Sequence, residues 1–409
     1  MAGDQVEDPY SFYARARASE PVFFSPRFQM WFVTRYDDVR AALSDPGTFS
    51  SRGAIPDYSE LGPEVQAALE GYRQPRSMIN MDPPDHTRLR RLARQAFTPR
   101  TVATMREAVQ DVATGIVEGF SRRGHADLIP QFAYPLPLAV IFRLLGVPGE
   151  DIPACQRWTA QLKELNFGRS KLPVARLVEC ARGVLAYQRY VERLVAGWAP
   201  HERESLISSM VLARDEEGGP SLTVQETADQ VQAFIIGGHE TLASALGNTL
   251  YLLLAEPERW QRVCREPASR EAAIEEALRI DTAVTGMIRV TTRAVRLGGV
   301  ALPAQARLFL LFGSANWDEA RFPDPAEYRL ERTGQPLHVA FGHGIHYCVG
   351  APLARLELSV AIDVLTAGLP GLRLSAGEQV KHVPDLLFRS LAQLPVVWDN
   401  DPHHGKGHL

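Results

Sequence analysis

Cysteine is scarce in this chain of 409 residues, and long apolar runs are missing. The four cysteines, which are Cys155, Cys180, Cys264 and Cys348, are widely spaced and form no CxxC pair. This spacing excludes a zinc-ribbon pattern and a secreted disulfide framework. No apolar run approaches the roughly 20 residues that span a bilayer, and the acidic residues 1–8 lack the apolar segment of a signal peptide. We therefore expect a soluble, cytoplasmic protein without a membrane partner.

An excess of positive charge is also missing. Lysine and arginine number 44 against 48 aspartates and glutamates, which gives a net charge of -4 and an isoelectric point near 6.3. Nucleic-acid binding proteins usually carry a strongly basic face, so we expect no nucleic-acid partner. The length alone would suit two or three domains, but no linker or repeat divides the chain. Only residues 399–409 are biased in composition, and they predict a disordered tail.

A glycine-rich loop, residues 341–350, contains one cysteine and leads directly into a helix. Glycines lack a Cβ atom and let backbone lie close to a flat ligand, and Pro352 suits the first turn of the helix that follows. The positive end of that helix favours the thiolate form of Cys348. Such a thiolate suits the proximal position on a haem iron. The alternative is that Cys348 is a small buried hydrophobic residue.

One long helix is predicted from Thr223 to Glu256. It begins with a capping-box sequence, Thr223 to Glu226, and Pro257 prevents its continuation. The helix would be about 45–50 Å long and is apolar on nearly every side, so it should be buried. Elsewhere we expect a β-hairpin over 21–34, helices over 108–120, 136–145, 174–198 and 257–280, and strands over 295–297 and 307–310. The fold is therefore mainly α with small β-sheets.

The centre of the long helix, residues 237–241, contains two glycines and an acid where a buried helix should have neither. Each glycine costs about 1 kcal/mol relative to alanine, and a buried acid costs more unless it is paired or hydrated. Such conflicts are typical of functional sites. The glycines would leave room for dioxygen, and Thr241 and Glu240 would deliver protons to it. The alternative is a kinked core helix with a solvated Glu240. A zinc peptidase is excluded, since Ala243 stands where its second histidine would be.

Together, these two motifs resemble those of the cytochrome P450 family. The matching loop residues are Phe341, Gly342, Gly344, His346, Cys348, Gly350, Ala354 and Glu357. The helix matches the family's small–Gly–x–acid–Thr signature, with Gly237 where alanine is frequent. The resemblance covers nearly the whole chain and implies one cytochrome P450 domain, residues 1–398, with the long helix over the haem. It also implies haem b with the Cys348 thiolate as axial iron ligand, Gly238 at the cofactor, and no bound flavin.

Other residues match family positions that support the cofactor. Glu276 and Arg279 resemble the family's Glu-x-x-Arg element, whose ion pair braces the haem-binding region. Arg332 resembles the third member of that brace. Taken alone, the first two would be an ordinary surface pair. Haem propionates need cationic or hydrogen-bonding partners, and the residues at the matching positions are His86, Arg90, Arg289 and His346. For His86 and Arg90, the alternative is a solvated basic start of a helix.

The resemblance implies a haem-thiolate monooxygenase of bacterial secondary metabolism, which inserts one oxygen atom from O2 into an apolar organic substrate. No GxGxxG unit follows a predicted strand, so electrons must come from outside the chain, and the resemblance implies a ferredoxin and its NAD(P)H-dependent reductase as their source. A basic surface formed by Arg88, Arg91, Arg94 and Arg100 would dock that acidic partner. The alternatives are a peroxide-driven peroxygenase and a non-catalytic haem-binding or sensor protein. Neither alternative gives a role to Glu240 and Thr241.

The substrate pocket is expected, by family position, in residues 52–77, 165–173, 232–241, 282–288 and 386–391. The apolar candidates for its walls are Phe234, Ile235, Val284, Met287, Ile288, Leu387 and Phe388. These side chains favour an apolar substrate, either free or tethered to a carrier protein.

Overall fold

A computed structural model describes residues 6–53, 58–168, 172–198, 206–212, 221–332 and 337–399. The α-helices are α1 (Tyr10–Ser19), α2 (Tyr36–Ser44), α3 (Pro63–Ala68), α4 (Asp85–Ala96), α5 (Pro99–Ala103), α6 (Arg106–Glu118), α7 (Pro135–Leu145), α8 (Ile152–Lys163), α9 (Val174–Ala196), α10 (Leu206–Val211), α11 (Val224–Leu254), α12 (Pro257–Arg265), α13 (Arg270–Ile280), α14 (Phe312–Ala315) and α15 (Ala351–Gly368).

Within these described ranges, ten short strands form three small sheets. The strands are β1 (Val22–Ser25), β2 (Met30–Val33), β3 (Phe49–Ser50), β4 (His125–Asp127), β5 (Gly286–Thr291), β6 (Val295–Leu297), β7 (Val300–Leu302), β8 (Arg307–Leu311), β9 (Arg373–Leu374) and β10 (Pro395–Val397). The largest sheet has the order β1-β2-β8-β5-β3, in which only β2 and β8 run parallel. The other sheets are β4-β10-β9 and the β6-β7 hairpin. The predicted class, mainly α with small β-sheets, is confirmed.

Helix α11 lies at the centre of the helical part and packs against α7, α9 and α13. Its capping box is present, because the Thr223 hydroxyl accepts from the Glu226 N–H while the Glu226 carboxylate accepts from the Thr223 N–H. Apolar side chains surround most of its length, and their burial in the main hydrophobic core stabilises the helix. The long buried helix predicted from the sequence is confirmed.

The remaining element predictions are confirmed except one. The hairpin, three of the four further helices and both strands lie within two residues of their expected positions. The helix expected over 257–280 is instead two helices, α12 and α13, with a 3₁₀ turn, Pro267–Ser269, between them. Pro267 donates no backbone hydrogen bond and disfavours helical dihedrals at Glu266, which has φ -120° and ψ 80°.

The C-terminal strand β10 is followed by Trp398 and Asp399, and Asp399 forms an ion pair of 2.9 Å with Arg373. The rest of the predicted tail lies outside the described residues, as do residues 54–57 and 169–171 of the predicted pocket walls. Within the described ranges, every helix is too short or too polar to cross a membrane.

Candidate active site

The loop that contains Cys348 folds tightly against α2. The Cys348 N–H donates to the Phe341 carbonyl over 2.9 Å, which closes the loop on itself. Gly344 has φ +69°, and a Cβ at this position would lie 2.4 Å from the carbonyl oxygen of Leu43. A side chain at position 344 would therefore require either the loop or α2 to move, which explains the glycine.

The Cys348 thiol lies at the N-terminus of α15 and retains accessible surface. Burial raises its pKa, although the Gly350 and Ala351 N–H groups and the Arg90 side chain act in the opposite direction. The N–H groups at the start of α15 thus favour the thiolate, as predicted, while burial acts in the opposite direction.

Behind the cysteine loop, Glu275 joins α13 to α15. Its carboxylate accepts two hydrogen bonds from Arg355, of 2.6 and 2.7 Å, and lies 3.1 Å from His338. The Arg355 guanidinium also stacks on the Phe341 ring, 4.6 Å from its centre. We did not predict this support, since Glu275 precedes the recognised Glu276 and nothing in the sequence pairs it with Arg355.

The predicted brace is present and buried. Glu276 accepts hydrogen bonds of 2.7 and 2.9 Å from Arg279 and one of 2.7 Å from Arg332. Arg332 also donates to the carbonyls of Pro323 and Asp324. The brace thereby attaches α13 to the segment that leads towards the cysteine loop, and the structural role assigned to all three residues is confirmed.

The four residues expected to hold the haem propionates converge beside the cysteine loop. The rings of His86 and His346 are 4.3 Å apart, and Arg90 donates to the Tyr347 carbonyl. Burial, with smaller contributions from Arg289, His86 and Arg90, lowers the pKa of His346 to about 3. Burial also lowers the pKa of Arg289 to about 10, against the opposing charge of Asp82. The four bases therefore form one cluster, in which His86 and Arg289 are buried and Arg90 and His346 are half-buried.

Two residues that we did not predict complete this cluster. Ser51, next to β3, shares a hydrogen bond of 2.9 Å between its Oγ and His346 Nε2. Asp82 accepts hydrogen bonds from the Ser50 hydroxyl and, over 2.8 Å, from the Ser51 N–H. Ser50 and Ser51 lie more than thirty residues before Asp82 in the chain, so only the tertiary structure brings the two segments together.

This cluster suits the negatively charged edge of a cofactor. Among the described residues, both ring nitrogens of His86 are buried without a hydrogen-bond partner, and Arg289 donates only to the carbonyl of its neighbour Ile288. Buried donors of this kind normally have an acceptor, and two propionates would supply acceptors and negative charge. The residues present therefore fit haem at this position.

On α11, Gly237 and Thr241 lie on the same face, one turn apart. Gly237 is exposed, and a Cβ there would meet no atom within 4 Å. Gly238 instead faces α7, where its Cβ would lie 3.3 Å from Ile141. We predicted Gly238 at the cofactor, but the structure turns Gly237 to the open side, because consecutive helical residues point about 100° apart.

Glu240 lies on a different face of α11 from Gly237 and Thr241. Its carboxylate lies 2.5 Å from the Lys163 ammonium of α8 and accepts a hydrogen bond of 3.3 Å from the Tyr134 hydroxyl. The solvated Glu240 of the alternative interpretation is therefore wrong, since the carboxylate is paired and largely buried. Neither Lys163 nor Tyr134 carried a sequence signal that linked it to Glu240.

The predicted substrate walls come together only in part. Val284 pairs with Phe388 in a β-bridge, and Ile288 and Leu387 pack in one apolar cluster. Met287 alternates with Ile288 along β5 and packs in a different cluster. Ile235 has no accessible surface, and the nearly buried Phe234 packs edge-on against Phe97 at 5.2 Å. The assignment of Ile235 to the pocket is therefore wrong, and Ile235 belongs to the core.

Comparisons with known proteins agree with this geometry. Residues 186–366 match the family model of cytochrome P450. The chain is 34% identical to cytochrome P450 monooxygenase PikC of Streptomyces venezuelae, over 99% of this chain and 95% of that protein. It is 37% identical to nocardicin C N-oxygenase of Nocardia uniformis subsp. tsuyamanensis, over 97% of both.

A solved structure shows the same architecture. The crystal structure of P450BioI in complex with an acyl carrier protein ligated to hexadec-9Z-enoic acid has a TM-score of 0.86 and 29% identity, over 97% of this chain and all of that one. Fold and relatives together define a haem-binding oxidoreductase that incorporates molecular oxygen. The chain belongs to the cytochrome P450 family, and its activity class is that of the cytochrome P450 monooxygenases.

Proposed function

We propose that the protein is a haem-thiolate monooxygenase that inserts one oxygen atom from O2 into an apolar organic substrate of bacterial secondary metabolism. The observation that carries this proposal is the convergence of His86, Arg90, Arg289 and His346 beside the loop of Cys348. These bases suit the propionates, and the thiol within the same region suits the iron. Haem, when bound, supplies the chemistry that activates dioxygen.

The chain's own residues would control protons and water around the cofactor. The Thr241 hydroxyl donates to the Gly237 carbonyl over 2.6 Å, so its oxygen lone pairs are left for a proton donor on the open side. Glu240 lies behind this face, where Lys163 and Tyr134 hold its carboxylate. We assign Thr241 and Glu240 to proton delivery, which is general acid work.

The substrate would contact Val284, Phe388, Ile288 and Leu387. These residues lie where the predicted wall segments 282–288 and 386–391 meet. Apolar side chains at this junction favour an apolar molecule. The P450BioI complex supports a carrier-tethered substrate as one form that this fold accepts. A free substrate and a tethered one would be separated by turnover of the same acyl group with and without its carrier.

Electrons would come from a ferredoxin and its NAD(P)H-dependent reductase. Arg91, Arg94 and Arg100 are exposed and suit an acidic partner. Arg88 does not belong to that surface, since it pairs with Glu226 at the start of α11 and donates to the Ser221 carbonyl. Its charge is neutralised within the fold.

The decisive experiment is the carbon-monoxide difference spectrum of the reduced holoenzyme. We expect the strongly red-shifted Soret band of a thiolate-ligated haem, and its loss in Cys348→Ala. Cys264→Ala is the matched control, because Cys264 is also exposed but lies in α12, away from the loop. A red-shifted band that persists in Cys348→Ala would contradict the proposal. Turnover with hydrogen peroxide but not with ferredoxin and reductase would favour the peroxygenase, and spectra without any turnover would favour a haem-binding sensor.

A further inference from the structure

A small cavity lies on the side of α11 that faces α8. Its volume is about 20 Å³, and its polar lining residues include Lys163, Asn166, His239 and Glu240. A polar cavity needs roughly 10–15 Å³ of solvent-sized volume and two to four polar partners to hold a water molecule. This cavity has the volume for one water and has polar residues in its wall.

His239 is a polar residue of this cavity to which the proposed chemistry gives no role. The residue is only 1% exposed, and within the described ranges neither ring nitrogen has a hydrogen bond of good geometry, although the backbone of Tyr134 lies near the ring. The ring of Tyr134 packs edge-on against it with centroids 4.2 Å apart, which fixes the imidazole plane. Burial lowers the pKa of His239 to about 4, so the ring is neutral near pH 7 and offers one donor and one acceptor.

The adjacent Glu240 carboxylate has protein partners on both oxygens. Lys163 lies 2.5 Å from Oε2, and the Tyr134 hydroxyl donates to Oε1 over a longer 3.3 Å. A carboxylate accepts about four hydrogen bonds, so each oxygen retains a lone pair. Glu240 and the unpartnered imidazole line the same water-sized cavity.

We propose that this cavity binds one water molecule between a ring nitrogen of His239 and the carboxylate of Glu240, and that His239 is a positioning residue for that carboxylate. The water satisfies the buried imidazole and provides a third hydrogen bond that holds Glu240 in place. The role of Glu240 in proton delivery rests on the proposed function, whereas the water site does not.

A high-resolution crystal structure of the haem-loaded protein tests the water site directly. We expect an ordered water within about 3.2 Å of both His239 and Glu240, which is a normal hydrogen-bond distance. His239→Phe should lose it, and His239→Gln, whose amide both donates and accepts, should keep it. No water in the wild-type cavity would overturn the proposal, whatever the variants do.

Turnover with ferredoxin and reductase tests the positioning role. In His239→Phe we expect kcat to fall about fivefold with KM unchanged, together with a larger solvent isotope effect on kcat, and His239→Gln should restore both. Equal kcat and isotope effect in wild type and His239→Phe would overturn the positioning role. If the wild-type protein holds the water but shows no oxygenation, the water site stands and the proposed function fails instead.

Discussion

The Thr241 hydroxyl donates a hydrogen bond of 2.6 Å to the carbonyl of Gly237, one turn earlier in α11. The proton of this hydroxyl is thus committed to the helix itself, and the oxygen presents lone pairs beside the exposed glycine. Such a hydroxyl can orient a water or receive a proton on the open side, although it is not the ultimate acid.

Removal of this hydroxyl should uncouple electron consumption from product formation. We expect product formed per NAD(P)H to fall on the order of tenfold in Thr241→Val, a near-isosteric change that deletes the proton-handling oxygen. Thr241→Ser keeps the oxygen and should retain most of the coupling. The measurement is product, peroxide and NAD(P)H in one assay, and equal coupling in Val and Ser variants would contradict the role of the hydroxyl.

Glu275 should make stability depend on acid pH. Burial of its carboxyl group opposes ionisation, but hydrogen bonds from Arg355 and His338 outweigh this and lower its pKa to about 2. A lowered pKa stabilises the fold above the unfolded-state value near 4.5, and this contribution disappears as pH falls from 4.5 towards 2. For a pair that is partly exposed, we expect a contribution on the order of 2 kcal/mol.

Urea unfolding at pH 6, 4.5 and 3.5 measures this dependence. Glu275→Gln should lower the free energy of unfolding at pH 6 and flatten its decline towards pH 3.5. Glu271→Gln is the matched control, since Glu271 is an exposed glutamate on the same helix. An unchanged pH slope in Glu275→Gln would show that the pair contributes nothing measurable.

The buried brace should be needed for a stable holoenzyme. Glu276→Gln leaves Arg279, which is 2% exposed, without its carboxylate, and removing one partner of a buried ion pair costs about 3–5 kcal/mol. We expect a lower thermal midpoint and less haem per chain. Arg329→Ala, which removes only exposed ion pairs to Asp324 and Glu327, should leave both quantities nearly unchanged.

Asp229 fixes the segment that precedes α4. Its buried carboxylate pairs with Arg73 and accepts from the Arg76 N–H over 2.9 Å, and Gln230 donates to the Arg76 carbonyl over 2.9 Å. In Asp229→Asn we expect amide hydrogen exchange over residues 73–80 to accelerate about tenfold, which corresponds to about 1.4 kcal/mol of local stability. Asp85→Asn breaks only an exposed pair with Arg76 and should change exchange little. Equal amide exchange in the two variants would exclude a role for Asp229 in fixing this segment.

The arginine surface should govern electron delivery rather than catalysis. Arg91→Glu and Arg94→Glu should each slow ferredoxin-dependent reduction about tenfold at low salt. The difference in rate from the wild type should shrink as salt screens the charges. Reduction by dithionite should not change. Arg27→Glu, in the β1–β2 turn, is the control, and an equal effect there would indicate a general charge effect instead of a docking surface.

Local sequence rules accounted for much of this molecule. The capping box at Thr223, the stop at Pro257 and the glycine-rich loop at Cys348 depend on neighbours within a few residues, so each was predictable. The ion pair of Glu276 with Arg279 also spans only one helical turn, and the family pattern supplied Arg332. By contrast, the break at Pro267 was a local signal that helical periodicity concealed.

By itself, the sequence determined where the long helix begins and ends, which loop carries the cysteine and which residue types serve the site. Only the tertiary structure decided that Gly237 rather than Gly238 faces the open side, that Ile235 lies in the core, and that Glu240 meets Lys163. The reason is physical. Periodicity defines the relative angles of side chains on a helix, but the rotation of that helix against its neighbours depends on packing between residues far apart in the chain.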